Sequence, residues 1–303
     1  MKKAFTLLEL ILVIVIMGLL SFAGINIAKN LYTNYLQARA INTLETQTEL
    51  TLEQISKRLA IRVKSSAIGR KSSDSSFIST SSPGLNSDYD ILEWISYSYE
   101  SFQDGGWSGF VDLKNSDNAR DATKDGGTIS TPDSNLERAS NTISDLTDKN
   151  ATLDNGQVGL LFKNTAKPNI VQTGFGYNSS NQADDIATAK KDGNNKLKIK
   201  KYTSDDIYEQ YYLLHTAYAV VPKKKKTGDT DFDLWLHYNY RPWVGDKYNN
   251  AKTSKVLLAE NVTRFNFTEA SGVIVMKLCI RDAGKSLGQN KAETTVCKTK
   301  AVY

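Results

Sequence analysis

One uncharged apolar run constrains this chain more than any other feature of it. Leu10 to Ala28 carry no charge, Lys2 and Lys3 stand before the run, and a single carboxylate, Glu9, sits at its mouth. At about 1.5 Å per helical residue, these roughly 19 positions would just cross the hydrocarbon core of a bilayer. The rest of the 303 residues is ordinary in composition: 40% hydrophobic, 23% charged and a formal net charge of +5. A mean hydropathy of -0.40 excludes a polytopic membrane protein, so membrane contact has to come from this one segment.

Three accounts of the run compete. In a secretory signal, Lys2 and Lys3 form the basic region, Leu10 to Leu20 the apolar region, and Ser21, Phe22 and Ala23 a small-x-small cleavage site. In an uncleaved anchor, the two lysines hold the N-terminus inside. Neither explains Glu9, since an unpaired acid within the span costs on the order of 2.5–3.5 kcal/mol.

The third account gives the acid a partner. The stretch "KKAFTLLELILVIVIMGLL" resembles the N-terminal signal of type IV prepilins and of the pseudopilins of type II secretion. The resemblance implies cleavage by a prepilin peptidase after Ala4, N-methylation of Phe5 as the new first residue, and Glu9 as the fifth residue of the mature chain. That family usually has Gly where this chain has Ala4, and often Pro near the position of Asn26. In a low-dielectric helical bundle, the α-amino cation of one Phe5 and the carboxylate of a neighbour's Glu9 would relieve each other's burial cost, making Glu9 an assembly residue.

After Lys29 the pattern becomes amphipathic. Leu44, Leu52, Ile55, Leu59 and Val63 recur at helical spacing, with Arg39, Glu45, Glu49, Glu53, Lys57, Arg58 and Arg62 on other faces, and no Pro occurs before Pro83. The expected organisation is a leader over 1–4, a transmembrane and assembly helix over 5–28, and an amphipathic helix over 29–68. A β-rich head over 69–303 follows, with a polar insertion near 114–156 that has little to bury and one short helix around 135–146. The runs "QVGLLFK", "NKLKIKKY", "QYYLLHTAYAVVP", "DFDLWLHYNYRPW", "KVLLAENVTRFNFT" and "GVIVMKLCIRD" are β-branched and aromatic and are separated by turn residues. Together they predict an α+β fold, a long N-terminal helix packed on an antiparallel sheet. The amphipathic run and the late strands are similar to those of minor subunits of the J and W types.

The two cysteines, Cys279 and Cys297, enclose a Lys-, Gly- and Asn-rich loop. Many pilins close a C-terminal loop with a disulfide, and an exported head would meet an oxidising compartment, so the resemblance implies that these two pair. Metal ligation lacks further soft ligands, and neither Cys has an obvious base beside it.

Chemistry-bearing motifs are scarce. "DGGW" and "TGFGYN" lack the helix-opening context of a phosphate loop, and His215 and His237 each lie in an aromatic strand. The Asp- and Asn-rich loops lack calcium-loop spacing. No catalytic residue, cofactor or metal is expected, and the chain reads as a non-enzyme.

The implied role is a minor pilin or pseudopilin that helps start a filament or forms its tip. It would sit as a single-pass protein in the inner membrane of a Gram-negative bacterium, N-terminus cytoplasmic, with its head in the periplasm or on a surface filament. Its partners would be prepilin peptidase and other subunits. The alternative is an adhesive or DNA-capturing tip subunit of an adhesion or competence pilus. There Lys223, Lys224, Lys225 and Lys226, with Trp235, Tyr238, Tyr240 and Trp243 nearby in sequence, would contact phosphates and bases. Against it stands a charged hairpin tip that keeps a strand edge soluble.

Overall fold

The protein, seen in a computed structural model, is described over residues 6–116, 127–163, 174–178, 185–200, 202, 207–226, 228–282 and 294–303. A single helix, α1 (Leu7–Ala60), runs without a break for 54 residues, about 80 Å at helical rise. It crosses Gly18, Gly24 and Asn26 without interruption. The helix expected over 29–68 stops at Ala60. Past it the chain turns to pairing, with the Val63 N–H donating to the Ile95 carbonyl at 2.8 Å and Arg62 bridging to Ser96. The β-branched Ile61 and Val63 favour that change.

The strands are β1 (Ile68–Arg70), β2 (Phe77–Ser79), β3 (Ile91–Tyr97), β4 (Thr128–Ser130), β5 (Val158–Phe162) and β6 (Ile186–Lys191). They continue with β7 (Lys196–Lys200), β8 (Tyr211–Lys223), β9 (Phe232–Tyr240), β10 (Ser254–Ala270), β11 (Val273–Arg281) and β12 (Thr295–Val302). Two further α-helices, α2 (Tyr99–Gln103) and α3 (Leu136–Leu146), occur among the described residues. All strands belong to one antiparallel sheet with the path β12-β11-β10-β9-β8-β5-β6-β7-β4; β3 also pairs with β8, and β1 joins β3 to β2.

Strand β8 divides the sheet into two lobes. Its Ala217–Lys223 portion pairs with β9, its Tyr211–Leu214 portion pairs with β5, and β3 lies along its other edge. In the first lobe Leu44, Leu52, Ile55 and Leu59 of α1 pack on Trp94, Val262, Phe265, Ile274, Met276 and Leu278. This is the stripe expected from the heptad-like spacing. In the second lobe α3 lays Leu136, Ala139 and Ile143 on Ile129, Leu160, Leu197 and Leu213.

That second core corrects the reading of 114–156 as a solvated insertion. Residues 117–126 lie outside the described residues, but Ile129, Leu136, Ala139, Ile143, Ala151 and Leu153 are fully buried. The short helix does form, N-capped by the Asn135 side chain accepting from the Arg138 N–H at 3.1 Å. Gly106 lets it close in, since a Cβ there would lie 2.8 Å from the Ala139 Cα.

Candidate functional site

The apolar half of α1 stands free of the head. Large side chains from Leu7 through Tyr35 are 47–78% exposed, among them Ile14, Met17, Phe22 and Ile27. This helix is long and apolar enough to cross a membrane, and none of its apolar window is buried. Nothing comes within 4 Å of a Cβ built on Gly18 or Gly24. The cleavage and methylation residues, Ala4 and Phe5, fall outside the described residues.

Glu9 is described, and it is engaged. Thr6 is the N-cap of α1, and its N–H and hydroxyl both donate to the Glu9 Oε2, at 3.0 and 3.1 Å, while the Glu9 N–H donates to the Thr6 Oγ1 at 3.4 Å. This is a capping box, which satisfies donors that the first turn would otherwise leave open. Sequence reasoning passed over this role, although Thr-Leu-Leu-Glu ahead of an apolar run is its signature. Oε2 takes both Thr6 donors, so Oε1 remains open to a second partner.

The docked half is fixed by ions at its margins. Lys298 and Lys300 on β12 reach Glu49, and Lys300 also pairs with Glu53. Lys298 and Lys300 hold the Glu49 carboxyl below the usual range. Arg62 closes the C-terminal end, its Nη1 donating to the Leu59 carbonyl at 2.9 Å and its Nη2 to the Gly272 carbonyl at 2.8 Å. An arginine there meets the carbonyls that the last helical turn leaves unpaired. Burial pushes this guanidinium down, and Glu269 opposes the change.

Cys279 and Cys297 are joined by a disulfide. They face each other across the β11 and β12 register, so the bond fastens the edge strand that carries Lys298 and Lys300.

The lysine run lies at the tip of the β8–β9 hairpin. Lys225 pairs with Asp233 at 3.3 Å and Glu260 at 3.1 Å, and the Lys226 N–H donates to Asp229. The aromatic residues do not gather around it. Tyr240 and Trp243 are buried, Trp243 donating to the Gln157 carbonyl, and only Trp235 and Tyr238 are partly exposed. The lysines of β7 belong to the other end of the sheet. They reach β8 only through β6 and β5, which pairs at Tyr211–Leu214, and 12 residues of strand, about 40 Å, separate Tyr211 from Lys223. Of the four lysine side chains, Lys225 alone is ion-paired among the described residues, and of the four aromatic residues Trp235, opposite Val221 on β8, lies nearest the tip.

The histidines are dispersed. His215 is buried in β8 with its Nδ1 unpartnered, and burial lowers its pKa to about 4. The His237 Nδ1 lies 2.7 Å from the Tyr248 carbonyl. Among the described residues no group of three or more His, Cys, Asp or Glu is placed to hold a metal ion.

One polar cluster had no signal in the sequence. The Arg70 Nε donates to the Glu93 Oε2 at 2.7 Å, and the Tyr240 hydroxyl to the Glu93 Oε1 at 2.9 Å, all three residues being buried. Burial alone would lower the Arg70 pKa, but the adjacent Glu93 leaves it raised. Burial, then Glu93, holds the Tyr240 hydroxyl well above its usual range. Arg70 and Glu93 meet because β1 pairs with β3, a contact that no local pattern announces.

No protein-family model matches this chain, and no curated protein or solved structure matches it either.

Proposed function

We propose that this chain is a pilin-like structural subunit, a minor pilin or pseudopilin of a type IV pilus-like or type II secretion filament, anchored by the first half of α1. The observation that carries this reading is the division of one uninterrupted helix. Its first half is apolar on every face and uncovered, and its second half is amphipathic and docked on a sheet. A helix apolar all round requires lipid or other apolar helices around it. A subunit that waits in a bilayer and then packs into a helical bundle meets both conditions in turn.

The prepilin-like sequence about Ala4, Phe5 and Glu9 supports the same reading. In the precursor, Glu9 caps its own helix through Oε2. In the filament its open Oε1 receives the methylated α-amino group of a neighbour's Phe5. The head then acts as a docking body that helps start assembly or forms the tip. Tyr240 and Trp243 are buried away from the lysine hairpin, which leaves DNA capture the less supported reading.

N-terminal sequencing of the membrane-associated protein, made with and without a prepilin peptidase, tests the proposal. The expected product begins at methylated Phe5 only when the peptidase is present. A chain beginning at Gly24, or at Met1 in both cases, overturns it. Glu9→Leu is expected to insert and be cleaved but to be absent from filaments.

A further inference from the structure

The sheet face turned away from α1 holds a cleft of about 520 Å³ with Arg70 and Glu93 in its lining. The side of the sheet follows from alternation on β3. Leu92 and Trp94 pack in the α1 core, while Ile91 and Ile95 belong to the opposite core, and Glu93 lies between them. Among the described residues, the cleft therefore lies on the face opposite the docked half of α1.

Its floor is built around an incompletely used arginine. Arg70 is 7% exposed. Its Nε serves Glu93, and one Nη1 hydrogen serves the Ser75 carbonyl at 2.9 Å. The Glu93 oxygen that could have taken the neighbouring Nη2 hydrogen is instead held by Tyr240. Among the described residues, both Nη2 hydrogens and one on Nη1 thus have no acceptor. The guanidinium centre lies 4.8 Å from the Phe77 ring centroid, 5.9 Å from that of Tyr177 and 5.8 Å from that of Tyr248. A planar fork clamped in this way is preorganised to donate two parallel hydrogen bonds.

The walls narrow the ligand class. In the lining Arg70 and Lys247 face Asp74, Glu93 and Asp246, and Asp246 is bound from behind by Arg241, so the cleft holds no net positive field for a multiply charged anion. A single carboxylate suits the fork. The rings of Phe77 and Tyr248 offer flat apolar contact, and the serine, asparagine and aspartate groups around the rim offer hydroxyl partners. The size falls within the range of small-molecule sites, about 300–1,000 Å³. We propose that this cleft binds a carboxylated saccharide, its carboxylate on the free Arg70 N–H groups and its ring against Phe77 and Tyr248. The site is independent of the filament reading and would serve adhesion on any exposed head.

Titration of the full chain in detergent with glucuronate, glucose and inorganic phosphate, followed by calorimetry, tests it. Glucuronate is expected to bind at least tenfold more tightly than glucose or phosphate. Arg70→Lys, which keeps the charge but loses the fork, is expected to weaken glucuronate at least tenfold. Tyr248→Ala, on the half-buried rim, provides a variant that spares the buried ion pair and is expected to weaken it several-fold. The proposal fails if glucuronate does not bind the unaltered protein, if glucose or phosphate binds equally well, or if folded Tyr248→Ala binds glucuronate unchanged.

Discussion

Between Leu7 and Tyr35 the large apolar side chains of α1 are 47–78% exposed, whereas Leu44, Leu52, Ile55 and Leu59 farther along the same helix are 5% exposed or less. The backbone is continuous through both halves, so the difference lies in what each surface requires. A single stripe can be covered by one sheet. Apolar residues on every face need a medium or a bundle. One helix therefore divides its work, with one half holding the head together and the other left for surroundings that the head does not supply.

The sharpest way to break the comparison is to remove the same kind of side chain from each half. Leu59→Ala is expected to destabilise the head by about 2–5 kcal/mol, the usual cost of emptying a buried leucine site. Ile14→Ala should leave head unfolding unchanged. Chemical denaturation followed by tryptophan fluorescence measures both, and equal effects would show that the two halves are not energetically separate.

Acid should separate them as well. His215 titrates near 4 in the folded head and near 6.5 when unfolded, because burial disfavours the charged ring. Between those values the unfolded chain binds a proton that the folded one does not, so stability falls as pH drops from 6.5 to 4 and this contribution is flat above that window. The loss is on the order of 3 kcal/mol by pH 4. In a series of melts across that range, His215→Leu should show a shallower acid slope than the unaltered head, and an unchanged slope would exclude His215 as its source.

The smallest expected effect lies at the margin of the docked half. Lys300→Ala removes the pairs to the exposed Glu49 and the partly exposed Glu53 and should lower the unfolding midpoint only slightly, an effect that fades in high salt. A larger, salt-insensitive loss would mean that the lysine stem packs on α1 and that the contact is not chiefly ionic.

Much of the fold was legible in the sequence. The uncharged run marked the free half, the spacing of Leu44, Leu52, Ile55 and Leu59 marked the docked stripe, and β-branched and aromatic runs marked β5 and the strands from β7 to β11. In the second lobe β5, β7 and the short helix were legible, but the core that they share with β4 was not. β4 is three residues long, too short to show a local period, and the inward Leu136, Ala139, Ser140 and Ile143 of α3 mark a helix without marking which strands cover it. Of the candidate site, Thr6 with Glu9 was readable as a cap, while Arg70 with Glu93 was not.

The sequence by itself determined that a long helix would form and that its first half would be apolar all round, because both follow from the order of residues along one helix. Only the tertiary structure decided that the helix ends at Ala60 beneath Arg62, that the polar segment contributes a core, and that an arginine with unused donors faces an aromatic cleft. Those outcomes depend on strands distant in sequence coming together, and the energies that fix them arise only once water has been excluded between them.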